Sequence, residues 1–293
     1  MRNLLFVLLL LSSAGVRAEC PSELWPREAL LQLKAQAFAL PDEDRRFETA
    51  EVLVACLASP DPLLRDGVAY GGLSTWFREK KFSETQLRAL QGELNLLLAA
   101  EDAEGFARPF AALMLSELAR TDRLNPWMTA DERLAMVNQA IAYMKSVSDY
   151  RGFDAQNGWR HGVAHASDWL LQLTVNTLVD APQVLAMTDA VAAQVLADNR
   201  HAYIFGEPGR LARPILFAAR RGVRTEAEWQ AWLKPLAAGM ADPAKAYQDA
   251  EWLVKRHNLV AFLQVLYLEA DISEGEELQP LKAAVLATLK TLP

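Results

Sequence analysis

Apolar residues recur along this chain with the three-to-four-residue spacing of helices, and almost nowhere do they alternate with period two. β-Branched residues are scattered, whereas Ala, Leu, Glu, Gln and Arg, all good helix formers, dominate. Segments 83–99, 129–147 and 183–198 read as amphipathic helices. Breaks rich in proline, glycine and Asn/Asp separate such segments, as in "SPDP" (59–62), "RLNPW" (123–127), "YRGFDAQNGW" (150–159) and "FGEPG" (205–209). Hydroxyl and acidic residues stand where helices should begin, at Ser83-Glu84, Thr129-Ala130-Asp131-Glu132 and Thr225-Glu226. The pattern predicts an all-α protein.

A longer rhythm overlies the helical one. Arg65, Arg108, Arg160, Arg213 and Arg256 each precede Asp, Pro or His and then about ten small or apolar residues. They stand about forty to fifty residues apart, the period of paired-helix repeats. This predicts a right-handed stack of helix pairs, a HEAT-like α-α superhelix, with a closed α/α toroid as the alternative. The small residues of "GVAYGGLS" (67–74) predict tight helix packing. Trp25, Trp127 and Trp159, beside Pro, Pro and Gly, are expected near loops.

The stretch "GWRHGVAHASDW" (158–169) holds two of the four histidines. On a helix, His161, His165, Asp168 and Gln172 fall within about 60° of one another. Val163, Ala166, Leu170 and Leu173 form the opposite face. The polar stripe has no lysine or glutamate, unlike a plainly solvated face. Three uses fit it. A polar groove for a peptide, protein or small molecule would be lined by Arg65, Asp66, Trp159, Arg160, His161, His165 and Asp168. A divalent metal held by His161, His165 and Asp168 would support a metal-assisted hydrolase; any further nitrogen ligand must be His201 or His257. Third, the two imidazoles fit a purely structural, buried network. The stretch lacks the adjacent glutamate of a His-Glu-x-x-His motif. No phosphate-cradling glycine loop or dinucleotide fingerprint occurs, and Ser74, Ser116 and Ser167 lack the Gly-x-Ser-x-Gly context of a hydrolase nucleophile. No cofactor other than a divalent metal is suggested.

Charge and address narrow the partners. The net charge is −7 and no basic face stands out, which argues against a nucleic-acid partner. Residues 1–18 read as a cleaved signal peptide: Arg2, the apolar run Leu4–Leu11, then small residues ending at Ala18. Acidic Glu19 ahead of Cys20 is a poor match to a lipid-anchor site. Residues 19–293 are expected to form one helical repeat-like domain, periplasmic or secreted, with no membrane insertion after cleavage. In an oxidising compartment Cys20 and Cys56, the two cysteines, are expected to pair.

"DYRGF…NGWRHGVAHASDWLLQL", preceded by "RDGVAYGGLSTWF" and "RPFAALMLSELARTDRL", resembles the bacterial domain-of-unknown-function family 2785. The resemblance runs from about Leu63 to Leu178, and its most specific part is Gly158, Trp159, His161, His165 and Asp168. Arg160 departs from the alanine found in relatives. The resemblance implies an all-helical fold and brings no established activity with it.

Overall fold

Capping chemistry sets the helix starts. Ser83 accepts from the Gln86 N–H while the Gln86 side chain returns to the Ser83 backbone, opening α4 (Glu84–Ala99). Thr129 with Glu132, Asp180 with Gln183, and Thr225 with Glu228 repeat this box. They open α6 (Ala130–Ser146), α8 (Ala181–Val195) and α10 (Glu226–Ala238). These alternate with α5 (Ala107–Leu124), α7 (Gly162–Val175), α9 (Glu207–Arg220) and α11 (Ala250–Ile272). Ahead of them lie α1 (Arg27–Ala35), α2 (Glu43–Cys56), a π-helix (Leu63–Tyr70) and α3 (Gly71–Arg78); α12 (Gln279–Leu289) follows. The computed structural model describes residues 20–196, 200–240, 242, 245–273 and 275–293. The signal expected over residues 1–18 lies outside them, as does the end of the helix expected over 183–198.

The helices form a stack of pairs. α5 packs between α3 and α7, α7 between α5 and α9, and α9 against α11, while α4, α6 and α8 form a second row behind them. Helices α1–α3 make no more than marginal contact with α10–α12, so the stack is open among the described residues. Buried apolar side chains from Leu30 to Val285 form one continuous cluster. The five repeat arginines each lie in or just before the first helix of a pair, but not at equivalent positions. Arg108 is the second residue of α5, whereas Arg213 is the seventh of α9. The only strands among the described residues are a two-residue hairpin, β1 (Phe153–Asp154) and β2 (Gly158–Trp159).

Close approach explains the glycines that open α3. A Cβ on Gly72 would stand 2.8 Å from Leu53 Cδ1 and 3.1 Å from Phe38 Cδ1, so only glycine admits the Phe38 ring here. Trp127 lies in the α5–α6 connection as expected, yet is buried. Asp122 accounts for that. It accepts from the Trp127 and Met128 N–H groups, from Arg133, and from Asn176 Nδ2 at 2.9 Å. No helix among the described residues is long and apolar enough to cross a membrane.

Cys20 and Cys56 are disulfide-bonded, with Cα atoms 4.9 Å apart, tying the approach to α1 to the end of α2 across 36 residues. Closing such a loop restricts the unfolded chain and contributes about 3–4 kcal/mol. Urea unfolding with and without dithiothreitol should therefore show a loss of about that size on reduction. An unchanged midpoint would mean that the N-terminal pair is held by packing alone.

Candidate functional site

The hairpin ahead of α7 sets up the histidine stretch. Asp154 Oδ1 accepts from the Gln156 and Asn157 N–H groups and closes the loop. The Arg160 and His161 N–H groups then donate to the Gly152 and Arg151 carbonyls. His161 takes a left-handed backbone, φ 63° and ψ 35°, which turns the chain from hairpin into helix. Such a conformation costs a non-glycine residue about 1–2 kcal/mol and persists only where the surroundings fix it. His161 is therefore the residue before the helix and not, as the 3.6-residue period predicted, a member of its polar face.

Both histidines are buried. His161 stacks on Trp159 with ring centres 4.4 Å apart. Its Nδ1 is shielded from solvent, has no hydrogen-bond partner among the described residues, and lies 3.9 Å from the buried Glu207 carboxylate. His165 Nδ1 lies 3.1 Å from the Pro109 carbonyl. A carbonyl only accepts, so Nδ1 carries the hydrogen and Nε2 is the bare nitrogen. The His165 ring meets Phe110 edge-on at 5.1 Å and His161 at 5.7 Å. Burial, aided by Arg210, pushes His161 down to about 4. Burial, with His161 and Arg210 adding to it, pushes His165 down to about 3. Both are neutral at neutral pH.

The rest of the stripe joins α7 to its neighbours. Asp168 is ion-paired to Arg210 of α9, though burial outweighs that partner and raises its carboxyl. Gln172 Oε1 accepts from Arg123 Nε of α5 at 3.2 Å. His165, Asp168 and Gln172 thus tie α7 sideways to α5 or α9.

Arg65 and Arg160 do meet, as the repeat spacing suggested, with their guanidinium carbons 4.1 and 4.3 Å from the Phe106 ring centre. Arg65 is wholly buried. It donates to the Ser59 carbonyl at 3.0 Å and to the Asn157 carbonyl at 2.7 Å. Asp66 pairs with adjacent Arg65 at 2.8 Å. Arg160 donates to the Glu104 carbonyl at 2.7 Å and pairs with Asp154.

The expected groove residues therefore divide. Arg65, Arg160, His161 and His165 are buried, Asp66 and Asp168 are partly covered, and Trp159 is on the surface beside Phe153 and Phe205. The three expected metal ligands do not form a donor set. Among the described residues no group of three or more His, Cys, Asp or Glu is placed to hold a metal ion, and Asp168 is engaged by Arg210. His201 stacks on Tyr150, and His257 Nε2 faces the Tyr203 carbonyl at 3.3 Å, so both serve the segment ahead of α9. The hydroxyls of Ser74, Ser116 and Ser167 donate to carbonyls of their own helices.

A cavity of about 450 Å³ does open on the stack, between α7, α9 and α11. Leu171, Phe217 and Val265 supply apolar walls, and Arg210, Arg213 and Arg220 stand around it with Glu269. Sequence reasoning singled out Arg213 as a repeat marker and missed its role here. The available signal was the spacing of Arg210, Arg213 and Arg220, which share one face of α9.

The family model for a protein of unknown function, DUF2785, matches residues 94–268, from within α4 to near the end of α11, and the chain belongs to that family. No curated protein and no solved structure matches the chain.

The histidines make stability depend on acid. Unfolded, both take up protons near pH 6.5; folded, they do so only near 4 and 3. Their contribution is therefore complete above about pH 6.5 and is lost as pH falls toward the folded values, at up to about 1.4 kcal/mol per pH unit each. Urea unfolding at pH 7, 6 and 5 should show this loss, and His165→Phe should remove about half of it. Equal slopes in the two proteins would show that His165 is protonated alike folded and unfolded.

Proposed function

Because the family carries no assigned activity, the reading must come from the site: we propose that the chain is an exported protein that binds an acidic stretch of polypeptide in the groove between α7, α9 and α11. One observation carries this reading. A chain of net charge −7 gathers Arg210, Arg213 and Arg220 around one cavity. Arg213 and Arg220 are exposed and form no ion pair with a described residue. Arg220 lies over the Phe217 ring at 4.8 Å, and its guanidinium makes no ion pair with a described residue that would compete with a carboxylate. The apolar walls give intervening side chains a surface to cover.

Helical stacks present extended surfaces of this kind. In this reading the histidine stretch serves the groove indirectly. His165 holds α7 to α5, and Asp168 holds α7 to α9 and fixes Arg210, the innermost of the three arginines. The hydrolase reading needed His161, His165 and Asp168 to converge, and no observation favours it. Export is supported by the disulfide, which suits an oxidising compartment.

Fluorescence anisotropy with a labelled peptide of alternating glutamate and leucine tests the proposal. The peptide should bind, while a lysine–leucine counterpart should not. Arg213→Glu and Arg220→Glu should each weaken binding about tenfold, roughly 1.4 kcal/mol. Their unfolding midpoints should stay put, because both side chains are exposed. Undiminished affinity in the double variant, or tighter binding of a single-stranded oligonucleotide than of the acidic peptide, would overturn it.

A further inference from the structure

A second cavity, of about 160 Å³, opens beside the first turn of α7, against the start of α5 and the end of α6. It is small, with room for roughly five waters at liquid density, and falls below the range of about 300–1,000 Å³ typical of drug-sized ligands. Its lining carries charges of both signs. Asp102, Arg108, Tyr143, Ser146, Asp149 and Gly162 all face it.

Two of its features offer donors toward the cavity. Tyr143 is 6 % exposed, lines the cavity, and its hydroxyl makes no hydrogen bond to a described residue. Burial also raises the phenol, so the group stays protonated as a donor. The second feature is the start of α7. Boxes cap α4, α6, α8 and α10, and Asp102 accepts from the Gly105, Phe106 and Arg108 N–H groups at the start of α5. α7 has no side-chain cap, and the first N–H known to return to a carbonyl there is that of His165, to His161. The helix end therefore presents open donors and a positive dipole.

Charge of both signs surrounds this spot. Arg108 uses Nε on the Leu98 carbonyl and Nη2 on Ser146 Oγ, which leaves part of its fork unspent. Asp149 is opposed by burial, but its hydrogen bonds with Arg151 outweigh that and hold it ionised. Asp102 adds a second carboxylate. A plain anion would be repelled by the two aspartates, and a plain cation by Arg108 and the helix end. A small molecule bearing both charges satisfies both sets.

We propose that this cavity binds a free α-amino acid of small side chain. Its carboxylate would sit on the Tyr143 hydroxyl and the open first turn of α7, and its ammonium toward Asp102 and Asp149. Gly162 is part of the fit. A Cβ there would stand 3.3 Å from Val147 Cγ1, 3.5 Å from the Asp149 carbonyl oxygen and 3.7 Å from the Tyr143 hydroxyl, taking the space the ligand needs. The site is separate from the arginine groove and does not depend on that groove's ligand.

Isothermal titration of the whole protein with glycine, L-alanine, acetate and glycinamide tests this. Glycine and L-alanine should bind, and acetate and glycinamide, which each lack one charge, should bind at least tenfold more weakly. Tyr143→Phe should weaken glycine at least tenfold and leave the urea midpoint unchanged, since no internal hydrogen bond is lost. Gly162→Ala should weaken it as well, by filling the cavity. Absence of glycine binding to the unaltered protein, or full affinity in Tyr143→Phe, overturns the proposal. Acetate matching glycine would mark a simple anion site, and glycinamide matching it a site for a peptide amino terminus; either result also overturns it.

Discussion

Two guanidinium groups against one buried aromatic ring set the geometry on which the rest of this fold depends. Arg65 comes from the π-helix, Phe106 from the start of α5, and Arg160 from the turn into α7. A buried cation is tolerated only where its donors are met, and a partner removed leaves the charge stranded. Here carbonyls of three separate segments meet most of them: Ser59 and Asn157 for Arg65, whose Nε has no partner among the described residues, and Glu104 for Arg160. The contact from Arg65 to Asn157 spans 92 residues of sequence. The N-terminal pair, the second pair and the hairpin of the third are thus positioned by one polar cluster rather than by apolar packing alone.

That cluster also explains the backbone at His161. The hairpin is held down by Arg65 on one side and by Arg160 through Asp154 on the other. The chain must then enter α7 within a single residue, and the left-handed turn at His161 accomplishes it. Trp159 covers the imidazole from the solvent side, and Glu207 approaches it from α9. A buried imidazole on a left-handed backbone thus lies where α7 meets α9.

Much of this architecture was legible in the chain, and for a physical reason. Cap residues such as Ser83, Thr129 and Thr225 act within four residues of themselves, so their effect is local and can be read locally. The repeat period shows in the spacing of the arginines, and Cys20 with Cys56 in there being two cysteines. The histidine stretch was legible as polar, with burial as one of three readings, because burial is decided by Phe110, Pro109 and Glu207, which lie far away in sequence. A helical wheel that includes His161 assumes helical backbone there, and no local signal announces a left-handed turn at a histidine. The π-helix over Leu63–Tyr70 was equally hidden, since its composition suits an α-helix as well. The arginine stripe of α9 could have been found by spacing, but only the approach of α7 and α11 makes a cavity of it.

The picture that results divides labour along α7. Its stripe is spent on holding the stack together, with imidazoles kept neutral by burial, and its neighbour α9 carries the unspent charge. Hydrogen exchange with and without the glutamate–leucine peptide tests that division most directly. Slowed exchange across Glu207–Arg220 and the facing part of Ala250–Ile272, with residues 158–165 unchanged, is the result this structure predicts. Protection centred on 158–168 with none on α9 would contradict it and return the binding site to the histidines.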